Sequence, residues 1–251
     1  MKDFKRSVKI VAIIPARGGS KSVPRKNIQD LLGVPLLTYS IDVALRCDFV
    51  TDVIVSTDDL EIANISKQYG SNIVLRPKSL AEDSSRDSGL LVHIFEVMGF
   101  SSEDLVVFLR PTHPIRNPAT LRKAFELFDE KRSEYDSLRS LKPSNEIVFK
   151  TWGFDQMGEI VPAYNPAITT VDDPPNAPRQ VLPSTFYQDG YVEVFPFSTP
   201  LTYSNTSGKR VLPFIVSEYS QDIDTFEELK SIENHLTNES FPEWFEIPKF
   251  K

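Results

Sequence analysis

Between Pro15 and Asn27 the chain reads Pro-Ala-Arg-Gly-Gly-Ser-Lys-Ser-Val-Pro-Arg-Lys-Asn. Arg17, Lys21, Arg25 and Lys26 bring four positive charges together with no acid among them. Gly18 and Gly19 give the backbone freedom to turn tightly and to bring its amides close to a ligand. Clustered cations on such a loop suit a polyphosphate. The loop lacks the Gly-x-x-x-x-Gly-Lys-Ser/Thr spacing of a P-loop and the Gly-x-Gly-x-x-Gly dinucleotide fingerprint. A solvated basic face is the alternative reading of the charge alone. Far along the chain, Asp222 and Asp224 flank Ile223. In extended backbone a period of two puts both carboxylates on one face, as a pair of hard oxygen ligands. Spacing equally allows Asp224 or Thr225 to cap a helix, with Thr225-x-x-Glu228 as a capping box.

The elements that must position these residues are legible as periodicity. Lys9–Ala16 is an apolar, β-branched run of the kind buried on both faces of a sheet. Pro35–Arg46 has helical spacing, Asp52–Thr57 reads as a strand, and Asp59–Tyr69 as a helix closed by Gly70. Asn72–Leu75 (strand), Gly89–Met98 (helix), Asp104–Leu109 (strand), Ala119–Lys131 (helix) and Ser137–Leu141 (a weaker strand) continue the alternation. It predicts an α/β fold with a mainly parallel sheet and helices on both faces, and places ligands beyond the carboxyl ends of the strands. Prolines at 162, 166, 174, 175, 178 and 183 change the texture from Val161 onward. We expect one domain over residues 1–251 with a protruding arm or lid at about 161–188. Gly190–Phe195 and Val211–Val216 read as strands, and Thr225–Leu236 as a closing helix.

Composition limits the function classes. The 251 residues carry a net charge of −7, but Met1–Lys26 holds eight cations and one acid, leaving 20 cations against 34 acids elsewhere. An acidic body disfavours general nucleic-acid binding, and a compact basic segment favours a small polyanion. Cys47 is the single cysteine, so neither an internal disulfide nor a cysteine-cluster zinc site is available. No apolar run reaches membrane-spanning length and the N-terminus has no signal-peptide core, so a cytoplasmic protein is expected. His93, His235 and Cys47 read as packing or surface residues, and no Ser/His or Cys/His nucleophilic arrangement is identifiable.

The basic loop resembles the N-terminal signature of the sugar-acid cytidylyltransferases, the family of CMP-N-acetylneuraminate synthetase, with Ser22 replacing one glycine. Further matches follow in the family's order: Pro35-Leu36-Leu37, Val55-Ser56-Thr57-Asp58-Asp59, Arg76-Pro77, Leu80-Ala81-Glu82-Asp83, Pro111-Thr112-His113-Pro114-Ile115-Arg116, Arg179-Gln180, Leu182-Pro183 and Asp222-Ile223-Asp224-Thr225. The resemblance covers roughly residues 9–236 and implies a Rossmann-like nucleotidyltransferase fold. It implies CMP transfer from CTP to the anomeric hydroxyl of a 2-keto sugar acid, with Mg²⁺ as cofactor, pyrophosphate as product and a homodimer as the assembly.

Carried over, Arg17 and Lys21 contact the triphosphate within the loop Gly18, Gly19, Ser20 and Lys21. Lys26 assists at the phosphates, Asn27 reads the cytosine edge, Arg76 sits beside the nucleotide, and Asp222 and Asp224 hold the metal. Arg17, Lys21, Asp222 and Asp224 form the implied catalytic set. Arg179 matches a family arginine suited to the substrate carboxylate, and Arg110 and Asp189 also fall on the sugar side, where the chain otherwise departs from the family pattern. There Arg110 replaces a glutamine, His113 replaces a serine, and Asp189-Gly190-Tyr191-Val192-Glu193 replaces Asn-Gly-Ala-x-Tyr. Two other functions compete: a nucleotidyltransferase using another nucleotide or a sugar 1-phosphate, and a non-catalytic nucleotide-binding regulator.

Overall fold

A computed structural model describes residues 7–238 and 241–251; Lys2, Lys5 and Arg6 of the basic N-terminal segment lie outside the described residues. Two compact units divide the chain, one comprising the chain up to Ser140 with Asp189–Lys251, the other Leu141–Gln188.

The first unit opens with strand β1 (Ile10–Pro15), a hairpin of β2 (Asp30–Leu31) and β3 (Val34–Pro35), and helix α1 (Leu37–Arg46). Then come β4 (Asp52–Thr57), α2 (Leu60–Gln68), β5 (Asn72–Leu75), α3 (Asp87–Met98), β6 (Leu105–Phe108) and α4 (Pro118–Lys131). Strand β7 (Ser137–Pro143) leads into the second unit, which contains the hairpin of β8 (Trp152–Phe154) and β9 (Ile160–Pro162). Strand β10 (Phe186–Pro196) returns, followed by α5 (Ser198–Tyr203), β11 (Val211–Ile215) and α6 (Phe226–Asn238).

Seven strands form one sheet in the order β11-β7-β10-β6-β1-β4-β5. Strands β6, β1, β4 and β5 run parallel, and β10 is antiparallel to β6. The chain moves outward from β1 through β4 and β5, then crosses back to lay β6 on the other side of β1. The strand order therefore reverses between β1 and β6, where open α/β sheets bind ligands beyond the carboxyl ends.

Alternation along the central strands divides the core between the two faces. Ala12 and Ile14 of β1 pack with Leu37 and Ile41 of α1, Ile62 of α2, and Leu121 and Phe128 of α4. Val11 and Ile13 point the other way, onto Leu90, Leu91 and Ile94 of α3 and onto Phe195 and Phe197. A third cluster joins Leu31, Tyr39 and Ile115 to Ile223 and to Ile232 and Leu236 of α6.

The long elements lie where periodicity puts them, with shifts at their ends. Asp59 caps α2 instead of opening it, accepting the amides of Glu61 (2.9 Å) and Ile62 (3.0 Å). Pro35 pairs with Asp30 in the β2–β3 hairpin and α1 starts at Leu37. That hairpin turns through Leu32 and Gly33, both at positive φ, without an Asn-Gly or Asp-Gly signal. Strands of two or three residues are too short for a period to show, so both hairpins were illegible, as was the six-residue α5.

Within the second unit, Lys150 Nζ donates to the carbonyls of Pro175 and Ala177, 2.9 Å each. The proline-rich stretch thus folds together with the β8–β9 hairpin, and the unit begins at Leu141. No helix among the described residues is long and apolar enough to cross a membrane. Cys47 is buried, and loss of solvation pushes its thiol up to about 11, as befits a core residue.

Candidate active site

The segments that follow β1, β5 and β6 enclose a cleft of about 500 Å³ at the carboxyl end of the sheet. Arg17, Ser20, Lys21, Lys26 and Asn27 line it from the first segment; Arg76, Glu82, Asp83 and Asp87 from the second; Arg110 and Thr112 from the third; and Asp224 from before α6. Residues as far apart as Arg17 and Asp224 meet because each follows a strand of one parallel sheet or is anchored beside it.

The basic loop is held in shape by contacts of its own. Gly18 N–H donates to Asp58 Oδ1 (3.0 Å), and a Cβ at Gly18 would fall 2.8 Å from Asp59 Oδ2 and 2.9 Å from its Cβ. Gly18 is thus required by the close pass of the β4–α2 connection, whereas a Cβ at Gly19 would meet nothing within 4 Å. Asn27 lines the cleft, but its Nδ2 donates to the Arg17 carbonyl (2.9 Å), closing the loop on itself.

The cations separate into roles. Arg25 departs from the polyphosphate reading of the four loop cations: in left-handed backbone (φ 53°), it pairs with Asp59 at 3.2 Å and Glu61 at 2.8 Å. The Asp59 hydrogen bond, with the charges of Asp59 and Glu61, raises the Arg25 pKa against the cost of burial. Lys26 Nζ donates to Asp224 Oδ1 (2.8 Å) and to the Ile223 carbonyl (3.1 Å). Arg17 Nη1 lies 2.8 Å from Asp83 Oδ1, and Lys21 pairs with the other oxygen of the same carboxylate. The Lys21 ammonium, then Arg17, holds the Asp83 carboxyl below the usual carboxylate range. One exposed carboxylate therefore holds both cations of the implied triphosphate site, in the way two phosphate oxygens would.

Arg76 is the exception. It is 7 % exposed, lines the cleft, and its Nε has no hydrogen-bond partner. Burial lowers its pKa, against the attraction of Asp58 and Asp87. A largely buried guanidinium that lines a cleft favours an anionic or strongly accepting ligand there.

Ile223, fully buried, anchors the acid pair, its amide donating to the Thr112 carbonyl (3.0 Å). Asp224 lines the cleft; Asp222 is half-buried and accepts from the Ile223 amide (3.0 Å) and the Thr112 hydroxyl. Desolvation, then the proximity of Asp224, raises the Asp222 pKa, against the Thr112 hydrogen bond, the Ile223 amide and Lys26. The helix cap belongs to Thr225: its Oγ1 accepts from Glu228 N–H (3.2 Å) and Glu228 Oε2 accepts from Thr225 N–H (2.8 Å). That reciprocal pair is a capping box, so Asp224 is not needed as the cap. Among the described residues no group of three or more His, Cys, Asp or Glu is arranged to hold a metal ion. Two carboxylates beside a cationic cleft suit Mg²⁺, which takes few protein ligands and fills its shell with phosphate oxygens and water.

Beyond β6, Arg110 lines the cleft and donates to Asp87 (2.8 Å) and Glu193 (3.1 Å). Arg116 is 3 % exposed and donates to the carbonyls of Tyr191 (2.6 Å), Arg110 (2.8 Å), Gly190 (3.3 Å) and His113, and to Ser40 Oγ (2.9 Å). Burial pushes its pKa down to about 10. Asp189 does not line the cleft: it is 5 % exposed, and its Oδ1 accepts from Ser140 Oγ (2.6 Å) and Tyr191 N–H (3.1 Å). Its backbone carbonyl accepts from His113 Nε2. Arg179 is exposed on the short turn Arg179–Val181 of the second unit. Asp87 is a cleft residue that the sequence did not single out, while Asp83 and Glu193 stood within compared motifs without a role of their own.

A family model described as cytidylyltransferase matches residues 11–234. The chain belongs to the cytidylyltransferase family. Pseudaminic acid cytidylyltransferase of Campylobacter jejuni is 37 % identical over 131 residues, covering 51 % of this chain and 56 % of that protein. CMP-N,N'-diacetyllegionaminic acid synthase of Legionella pneumophila is 36 % identical over 145 residues, 55 % of this chain and 61 % of that one. The matches thus span little more than half the length of these relatives. A solved structure of CMP:2-keto-3-deoxy-manno-octonic acid synthetase with CTP superposes with a TM-score of 0.69 at 16 % identity, covering 92 % of this chain and 99 % of that one. Its likeness establishes the nucleotidyltransferase fold, a mostly parallel sheet flanked by helices.

Proposed function

We propose that the chain transfers CMP from CTP to the anomeric hydroxyl of a nine-carbon (nonulosonic) or related 2-keto sugar acid, releasing pyrophosphate. The observation that carries this reading is that Arg17, Lys21 and the largely buried Arg76 line one cleft at the switch point of a cytidylyltransferase sheet. The two relatives' names supply the acceptor class.

In this reading the triphosphate replaces Asp83 on Arg17 and Lys21. The hydroxyl oxygen bonds to the α-phosphorus as the bond from that phosphorus to the bridging oxygen breaks. The hydroxyl proton is released and the electron pair leaves on pyrophosphate. Fixed guanidinium and ammonium groups stabilise that charge more in the transition state than in the substrate. Asp222 and Asp224 would hold Mg²⁺, which supplies charge neutralisation at the phosphates when bound. Lys26, tied to Asp224, orients the carboxylate pair as well as adding positive charge.

The assembly is proposed to be a homodimer. Trp152, Phe154, Met157 and Ile160 of the second unit are exposed apolar side chains of the kind a partner surface covers. Light scattering checks this; a fully active monomer at micromolar concentration removes it.

Pyrophosphate release from CTP with a panel of nonulosonic and ulosonic acids tests the function, with and without a chelator. Turnover that needs the acceptor, prefers CTP to UTP and stops on chelation is expected. CTP binding with no turnover on any acceptor would favour a regulatory binding protein, and equal use of CTP and UTP a broader nucleotidyltransferase.

A further inference from the structure

Ile223, between the two acids, is fully buried in the third core cluster with Leu31, Tyr39 and Ile232. Its amide donates to the Thr112 carbonyl (3.0 Å) and its own carbonyl accepts from Lys26 Nζ (3.1 Å). The backbone that carries Asp222 and Asp224 is thus held by hydrogen bonds toward the cleft and by apolar packing behind it.

Residues 241–251, beyond the end of the family match at residue 234, back that cluster. Trp244 and Phe245 pack against it, and the Phe245 ring stacks on Tyr39, with centroids 5.7 Å apart and planes 23° from parallel. Tyr39 is 3 % exposed, and its hydroxyl donates to the Leu31 carbonyl (2.8 Å), holding the β2–β3 hairpin to α1. The segment forms no helix or strand of its own, so these contacts give it its place. Arg46 Nη2 on α1 donates to the Trp244 carbonyl (2.7 Å) and lies 3.2 Å from Glu246 Oε1. Farther along, Phe250 packs on Tyr69 (4.7 Å between centroids), and Lys251 N–H donates to the Gln68 carbonyl at the end of α2 (3.1 Å).

A metal site works only while its ligands are held close to their productive geometry by the packing around them. Removing a ring from close-packed apolar surroundings leaves a space into which the neighbours relax. Here one of those neighbours is Ile223, and whatever moves it moves the carboxylates on either side.

We propose that Phe245, held by Arg46 and stacked on Tyr39, is a positioning residue for the Asp222–Asp224 pair, acting through Ile223. This rests on the reading of that pair as the metal site, and it adds a segment outside the family match to the parts that set it.

The test reads metal affinity without turnover, on the full chain, with Mn²⁺ as the probe because it takes the same oxygen ligands as Mg²⁺. Binding of Mn²⁺·CTP is followed by water-proton relaxation, and binding of CTP in EDTA by calorimetry. Wild type should bind the metal complex more tightly than metal-free CTP, and Asp222→Asn should lose that advantage. Phe245→Ala should weaken Mn²⁺·CTP by about tenfold, the scale for losing a group that orients a metal ligand, and leave metal-free CTP within about twofold. Phe245→Tyr, which keeps the ring, should bind as wild type does. A residue that serves stability alone would lower the melting temperature and leave both affinities unchanged well below it; that outcome overturns the proposal, as does an equal loss of both. If Phe245→Ala does not melt cooperatively, Arg46→Met decides, because it frees the segment from α1 and spares the cluster. It should show the same split, and wild-type affinities in that variant overturn the proposal. An advantage lost in Asp222→Asn but kept in Phe245→Ala defeats this proposal alone. A wild type that binds Mn²⁺·CTP no more tightly than metal-free CTP defeats the metal reading of the acid pair and this proposal with it.

Discussion

Two loops leave neighbouring parallel strands at the same end of the sheet and solve opposite problems. The segment after β1 carries Lys21 in solvent and Arg17 half-buried, both paired with Asp83 across the cleft. The segment after β6 carries Arg116 out of solvent, with its donors on backbone carbonyls from its own loop and from β10. Both use arginine for its fork of donors. In the first the partner is exchangeable, because an exposed ion pair contributes little to stability and is readily replaced by a better anion. In the second the partner is the fold itself. The difference teaches that a basic residue beside a nucleotidyltransferase cleft is not thereby a ligand-binding residue; its burial and the kind of oxygen it meets decide.

Arg116→Ala is the sharpest way to break the comparison. It strands several buried carbonyls at once and should cost about 3 kcal/mol or more in urea unfolding. An unchanged midpoint would mean that the β6 loop is no template. Lys21→Ala and Arg17→Ala should do the reverse. Each should lose about 2–4 kcal/mol of transition-state stabilisation, one to a few orders of magnitude in turnover, with the melting temperature unmoved. A Lys21→Ala enzyme with normal turnover would empty the proposed triphosphate site.

Gly18→Ala probes whether the first loop has a rigid base. Its Cβ would collide with Asp59, and about 1–3 kcal/mol of stability should be lost on thermal unfolding, with Gly19→Ala tolerated better. Thr225→Ala, which removes half of the capping box, should cost about 1 kcal/mol in the same measurement. The smallest effect concerns Asp222, whose folded pKa is raised, so the folded state holds its proton more tightly than the unfolded chain. The stability it contributes is present below the ordinary carboxylate pKa and is lost as pH rises through the raised folded value. Asp222→Asn should therefore melt slightly higher than wild type at neutral pH and equal to it in acid, while turnover falls sharply. Lower stability at neutral pH with unimpaired turnover would return Asp222 to a structural role.

Legibility followed chain distance. The parallel strands showed because Val and Ile runs such as Ile10–Ile14 and Leu105–Phe108 are buried on both faces, and the β1 loop showed because its cations lie close together in the chain. Thr225 and Glu228, three residues apart, were legible as a possible capping box for the same reason. Asp83 and Asp87 were invisible as partners because nothing near them in sequence indicates which cation they face. Asp189, placed on the sugar side by motif alignment, proves to be a buried acceptor for Ser140 and Tyr191.

By itself the sequence determined the α/β alternation, the basic loop at the end of the first strand and, through ordered motifs, the family. These depend on short-range periodicity and local composition, which survive in one dimension. The tertiary structure decided which charges are available. It ties Arg25 to Asp59 and Glu61, Lys26 to Asp224 and Arg110 to Glu193, and it leaves Arg76 buried with an unsatisfied donor. Charge is additive along a chain, but a charged group's effect depends on its desolvation and on the oxygens within about 3 Å, and only folding sets those.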